Sequence, residues 1–226
     1  TKLAHFHFTT NLEATKRILS LGEEPWRIFT VGLPSNDLIK DKKFATKDEV
    51  LKKFKLDLLR PILIFTQHSI TTQIGKVKMQ ITESIKALRA LANLDYQIII
   101  TYPNNDAGGD NIYSILSKYS LNKKNVTLHH SLGRKLYWGL LNLAKDPKYR
   151  VVCVGNSSSG IKETPAFGCS VVNIGSRQLG RLRGTNVIDS DYDKDSIYNA
   201  IKKCLFDDKF RNQSRACINP YGIGNT

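Results

Sequence analysis

The 226-residue sequence contains no CxxC pair and no cluster of His and Cys, so the usual signature of a zinc or dithiol site is missing. It also lacks any apolar run near the roughly 20 residues that span a bilayer. No secretory signal pattern opens it. Its four cysteines, Cys153, Cys169, Cys204 and Cys217, are scattered, and Cys153 and Cys169 sit in apolar runs as small hydrophobes of a reducing compartment. Together these features point to a soluble, cytoplasmic protein without metal or cofactor. Carboxylates are scarce: 20 Asp and Glu against 34 Lys and Arg leave a net charge of +14. A nucleic-acid surface would cluster that excess. Segments such as "KDKKFATKDEVLKKFK" instead mix lysines with acids and apolar residues, as a solvated helix surface does. The expectation is no nucleic-acid partner and no membrane partner.

At 41% hydrophobic and 24% charged residues the chain can bury a substantial core, and it carries no internal repeat or low-complexity tract. Short β-branched runs alternate with longer amphipathic ones. Strands are predicted at 27–32, 61–67, 96–102, 125–130, 150–155 and 169–175, with an edge strand at 185–188. Helices are predicted over 47–57, 75–94, 110–120, 134–145, 158–168 and 193–205; Val77, Ile81, Ile85 and Leu88 illustrate the helical spacing. Nearly continuous apolar strands alternating with helices predict a doubly wound, Rossmann-like α/β domain with a parallel sheet covered on both faces. It should occupy residues 31–205. Residues 1–30 offer one strand and one amphipathic helix ahead of the repeating pattern, as the tail of a preceding domain would. Residues 206–226 read as a C-terminal tail, loop-like at "NPYGIGNT".

Ligands of such sheets bind beyond the carboxyl ends of the strands. The polar residues just past each predicted strand are Ser35, His68, Asn104 to Asp106, His129 to Ser131, Asn156 to Ser158, and Ser176 to Gln178. The fold prediction gathers them on one rim. "GNSSSG" after a buried strand combines small residues, hydroxyl donors and the unpaired amides of a helix start, a cradle for phosphate or diphosphate. Ser and Asn are equally the favoured helix caps, so a structural role fits the same letters. Glu163 follows on the same helix, where it suits the dipole or would accept ribose hydroxyls; Pro165 limits how far that helix runs. Arg177 offers a planar fork for a phosphate, His68 a donor or proton shuttle, and Asn104 a base or sugar contact or a turn.

Several motifs taken together carry a resemblance. "TQHSITTQ", "YPNNDAGG", "GNSSSGIKE", "AFG", "NIGSRQLGR" and "GTNVI" resemble the C-terminal half of UDP-N-acetylglucosamine 2-epimerases, and "GNSSSGIKE" with "GSRQLGR" is closest to the hydrolysing branch. The opening "TKLAHFHFTTNLEATKRILSLGE" and "VGLPSNDLI" look like the family's crossing between its two Rossmann-like domains, a glycosyltransferase-B-like arrangement. The resemblance implies a UDP-sugar or UDP ligand. Ser157 and Ser158 would hold the diphosphate and Glu163 the ribose. Arg177, Asn104 and the Ser131 backbone would contact UDP, and His68 would serve both binding and catalysis. It implies conversion of UDP-N-acetylglucosamine and water into N-acetylmannosamine and UDP for sialic-acid or related amino-sugar synthesis. Dimers are common in the family. The remaining catalytic acids lie in its N-terminal domain, so a chain without that domain is expected to be nearly inactive. Animal members bind CMP-sialic acid through a lysine just after the "DAG" motif; Gly109 and Asp110 stand there, so no such control is expected. The alternatives are a glycosyltransferase donor domain, a non-catalytic nucleotide-binding module and, last, a basic nucleic-acid binder.

Overall fold

The computed structural model describes residues 2–222. In chain order its strands are β1 (His7–Thr9), β2 (Ile28–Thr30), β3 (Ile62–Thr66), β4 (Gln97–Thr101), β5 (Val126–His129), β6 (Val151–Gly155), β7 (Ser170–Ile174) and β8 (Val187–Ser190). Its α-helices are α1 (Leu12–Ser20), α2 (Ser35–Lys40), α3 (Lys47–Phe54), α4 (Val77–Ala92), α5 (Gly109–Ser120), α6 (Gly133–Asn142), α7 (Ser158–Lys162), α8 (Lys194–Phe206) and α9 (Asp208–Arg215). The six strands from β3 onward form one sheet in the order β5-β4-β3-β6-β7-β8, every pairing parallel. This is the doubly wound, Rossmann-like order, and its direction reverses between β3 and β6.

Strand periodicity builds the two layers. Leu63 and Phe65, Ile98 and Ile100, Val152 and Val154, and Val172 and Ile174 point into one core with α4, α5 and α8. Ile62 and Ile64, Ile99, Val151 and Cys153, and Val171 point the other way, against α3, α6 and Phe167. All these side chains are buried. Each fully buried aliphatic side chain stabilises the fold by about 1.5–3 kcal/mol relative to exposure.

Several predicted boundaries shift for local reasons. Strand 27–32 shortens to β2 and pairs only with β1, in a separate two-stranded parallel sheet. Helix 47–57 stops at Phe54, because Lys55 adopts a left-handed conformation; it starts on a reciprocal cap between Thr46 and Glu49. The first turn expected of α4 is a 3-10 stretch, Thr71–Lys76. Helix 158–168 is broken into α7 and a 3-10 turn, Thr164–Phe167, as Pro165 dictates. Two helices lacked a prediction, α2 and α9. α9 begins on Asp207, whose side chain accepts from the Phe210 amide, and buries Phe210 and Ser214. The stretch read as a C-terminal tail thus contains a packed helix over Asp208–Arg215. Of the loop-like stretch at 219–226, residues 223–226 lie outside the described ones. Cys153, Cys169 and Cys204 are free and buried.

Candidate functional site at the sheet's reversal point

The carboxyl ends of β3 and β6 stand side by side where the strand order reverses, and the chain leaves them in opposite directions to open a crevice. Gly155 makes this approach feasible. Its φ is +129°, and a Cβ there would come within 1.9 Å of the Thr66 carbonyl oxygen. Beyond it, Asn156 ties the two loops together. It is fully buried; its Oδ1 accepts from the His68 amide at 2.7 Å and its Nδ2 donates to the His68 carbonyl at 2.9 Å. Its own carbonyl accepts from Arg177 Nη1 at 3.1 Å and from Gln178 Nε2 at 2.7 Å. Three loops thus converge on one asparagine.

This knot orients His68. The Asn104 amide donates to His68 Nδ1 at 3.0 Å. An amide can only donate, so Nδ1 is unprotonated and the ring proton of the neutral imidazole sits on Nε2. Burial, with the Arg177 charge behind it, pushes the His68 pKa down to about 4, against the pull of Asp106. His68 is therefore a neutral hydrogen-bond donor at pH 7. Asn104 also bonds through Nδ2 to Asp106, which lies 3.9 Å from Arg177.

The crevice is a hollow of about 430 Å³ whose walls include His68, Ser131, Ser157 and Glu163 of the sequence-predicted residues, together with Ser35 and His130. Asn104 and Arg177 stand behind His68 and do not line it. Ser158 opens α7, while Ser159 lines the hollow. His129 turns away: its ring stacks edge-on against Phe54 at 5.3 Å and its Nε2 pairs with the Thr127 hydroxyl. Ser157 occupies the cap position of α7, yet its hydroxyl makes no capping bond. It pairs with Ser159 Oγ at 3.0 Å, and Ser159 donates to the Tyr137 hydroxyl at 3.2 Å. The amides at the start of α7 therefore have no serine side chain capping them. Ser131 Oγ accepts from the Gly133 amide at 3.1 Å, so its hydroxyl is engaged in the turn.

Glu163 is the residue at which α7 stops. Trp138, 1% exposed, donates its indole Nε1–H to Glu163 Oε2 at 2.7 Å. Burial raises the carboxyl's pKa; the indole bond and the charges of Lys162 and Arg134 oppose that rise. Neither Trp138 nor Tyr137 was singled out from sequence, because both read as the apolar face of α6. A larger hollow, about 820 Å³, lies behind the 163–168 segment beside Lys42, Lys145 and Arg215. It touches none of the sequence-predicted residues. Among the described residues no group of three or more His, Cys, Asp or Glu side chains is placed to hold a metal ion. No helix among them is long and apolar enough to cross a membrane.

Fold and crevice define a doubly wound α/β protein with an open crevice at its reversal point. The chain belongs to the UDP-N-acetylglucosamine 2-epimerase family, whose model matches residues 1–226. It is 34% identical over 207 residues to the GDP/UDP-N,N'-diacetylbacillosamine 2-epimerase (hydrolyzing) of Campylobacter jejuni, covering 91% of this chain and 52% of that protein. It is 33% identical to the UDP-N,N'-diacetylbacillosamine 2-epimerase (hydrolyzing) of Legionella pneumophila, covering 100% of this chain and 56% of the relative. The chain thus spans about half the length of these curated relatives. In fold it is similar to the UDP-GlcNAc 2-epimerase of Neisseria meningitidis solved with UDP-GlcNAc. That match has a TM-score of 0.76 at 17% identity and covers 99% of this chain and 59% of that structure.

Proposed function

We propose that this chain is the UDP-holding half of a hydrolysing UDP-sugar 2-epimerase. The reading rests above all on the convergence of His68, Ser157 and Glu163 on one hollow at the sheet's reversal point. The names of the hydrolysing relatives support it. In this reading the diphosphate lies over Ser157, Ser158 and the first amides of α7. His68 Nε2–H donates to a phosphate oxygen. Arg177 exchanges its bond to the Asn156 carbonyl for the phosphate, and Glu163 accepts ribose hydroxyls. The Ser131 backbone holds the uridine side, and Asn104 joins it by giving up its Nδ2 bond to Asp106. Fixed donors stabilise the diphosphate as it leaves.

The reaction begins with loss of the proton at sugar C2 and breakage of the C1–O bond. The electron pair of that bond departs with UDP and a 2-acetamidoglucal remains. Water then adds its oxygen to C1, and C2 regains a proton on the opposite face. The reading places residues 1–30 at the end of a preceding half and residues 31–205 in the UDP-binding domain. In its favour, Phe8 on β1 and Trp26 in the turn before β2 are 68% and 58% exposed, and Phe6 and Phe29 join them in one aromatic cluster. Parallel sheets are ordinarily covered on both faces. The three buried free cysteines fit a cytoplasmic setting.

Calorimetry of UDP against the chain and against Arg177→Ala tests the reading. Losing a charge-assisted phosphate contact costs about 1.5–3 kcal/mol, a weakening of about 10- to 150-fold. Absence of UDP binding by the folded chain would overturn it, and an unchanged affinity would remove Arg177 from the site.

A further inference from the structure

Glu163 does not meet the hollow with two free oxygens. Its Oε2 already accepts the Trp138 indole N–H at 2.7 Å, and no hydrogen bond reaches Oε1 among the described residues. The indole is itself buried between neighbours. Its ring lies 6.4 Å from that of Phe167, and the Arg134 guanidinium covers it at 5.3 Å. Glu163 is equally constrained, standing between the end of α7 and the turn that Pro165 begins. A carboxylate held by its backbone at one end and by an indole N–H on one oxygen has a fixed plane. One oxygen remains to face the hollow.

We infer that Trp138 is the positioning residue that orients Glu163 and thereby sets the site's preference for a ribose over a deoxyribose nucleotide. The inference rests on the reading that Glu163 faces the sugar of the nucleotide. A solvated carboxylate turns to accept from whatever hydroxyl is present and gains little selectivity. A clamped one accepts from a hydroxyl at one place, and a ligand without that hydroxyl leaves a partly desolvated oxygen unpaired. Trp138 is also one of only two tryptophans; Trp26, the other, sits exposed in the turn before β2. With Trp26 replaced, indole fluorescence reports this contact alone.

The experiment compares binding of UDP and of 2′-deoxy-UDP by the chain, by Trp138→Phe and by Glu163→Gln. Phenylalanine keeps an aromatic ring against Phe167 and Arg134 and removes the donor together with the second ring of the indole. The unsubstituted chain is expected to prefer UDP by about tenfold or more, the discrimination one buried hydroxyl contact supplies. Trp138→Phe should shrink that preference at least about fivefold while still binding 2′-deoxy-UDP, and Glu163→Gln should abolish it. In Trp26→Phe, UDP should change the Trp138 emission more than 2′-deoxy-UDP does at equal saturation, a readout that does not depend on Trp138→Phe folding. A UDP preference unchanged in Trp138→Phe, or equal emission changes with the two ligands, overturns the inference and leaves the UDP site standing. Failure of the chain to bind either nucleotide overturns both.

Discussion

Replacing Asn156 by alanine should be among the most damaging single changes to the site, although the side chain need not touch a ligand. The amide is wholly buried and holds His68, accepting at 2.7 Å and donating at 2.9 Å. Alanine deletes both bonds and leaves the His68 N–H and C=O facing a gap. An unsatisfied buried polar group costs about 1–3 kcal/mol, and water entering the gap would recover part of that. The expected destabilisation is about 2–4 kcal/mol, a large share of the 5–15 kcal/mol typical of a domain. The bonds from Arg177 and Gln178 go to the Asn156 backbone carbonyl and survive the substitution. The loss should therefore concentrate on the loop after β3. Urea unfolding gives the total, and amide exchange at His68 should rise more than at Gln178. Aspartate retains the acceptor but sets an unpaired buried charge against the His68 carbonyl, so it should cost at least as much as alanine. A loss under about 0.5 kcal/mol, with His68 exchange unchanged, would show that Asn156 does not hold the loops.

The depressed His68 pKa makes stability fall with acid. An imidazole near 4 when folded and 6.5 when unfolded favours the unfolded chain once protonated, so its contribution is complete above pH 6.5 and lost on descending through 4. The ceiling is about 3 kcal/mol, and proton NMR of the ring should show neutral His68 at pH 5.5; a midpoint near 6.5 would refute it. Gly155→Ala should cost on the order of 3 kcal/mol or more, from positive-φ strain added to the 1.9 Å clash with Thr66. Thermal unfolding close to that of the unsubstituted chain would mean that the two strand ends do not pack as described.

The central layers were legible because alternation and length are strong signals. Five-residue apolar runs such as "ILIFT" and "VVCVG" have to be strands buried on both faces, and strands separated by helices have to be parallel. The rim followed from the same logic, since parallel strands end together. Contacts that depend on tertiary packing were not legible. "RIFTVG" reads as a sheet strand, and only the fold shows that Ile28–Thr30 pairs with His7–Thr9 and not with β3. Trp138 lies on an apolar helix face, so its N–H partner 25 positions away leaves no local trace. Asn156 stands out in "GNSSSG" only as one more capping letter. The length of α7 was half visible: Pro165 marks where the helix must fail, and the structure adds that Glu163 is the stopping residue.

The groups facing the hollow also bear on whether this half can turn over a substrate. A base that removes the C2 proton works best with a pKa near the working pH, and restoring a proton on the opposite face requires a second group across the sugar. Three titratable residues singled out above line the hollow, His68, His130 and Glu163. His68, near 4, is too weak a base at pH 7 and is occupied as an Nε2–H donor. Glu163 is tied to Trp138 on the side assigned to the ribose. On the proposed reading both belong to this half, and the proton returned to the far face of the sugar comes from a group outside it. The chain spans about half of its hydrolysing relatives, which leaves room for those groups elsewhere in such a protein. Incubated with UDP-N-acetylglucosamine in deuterated buffer, the 226-residue chain should bind the nucleotide without exchanging the C2 proton or releasing N-acetylmannosamine. Deuterium appearing at C2, abolished by His68→Ala, would show that this wall alone moves the proton and that the division of labour between halves is wrong.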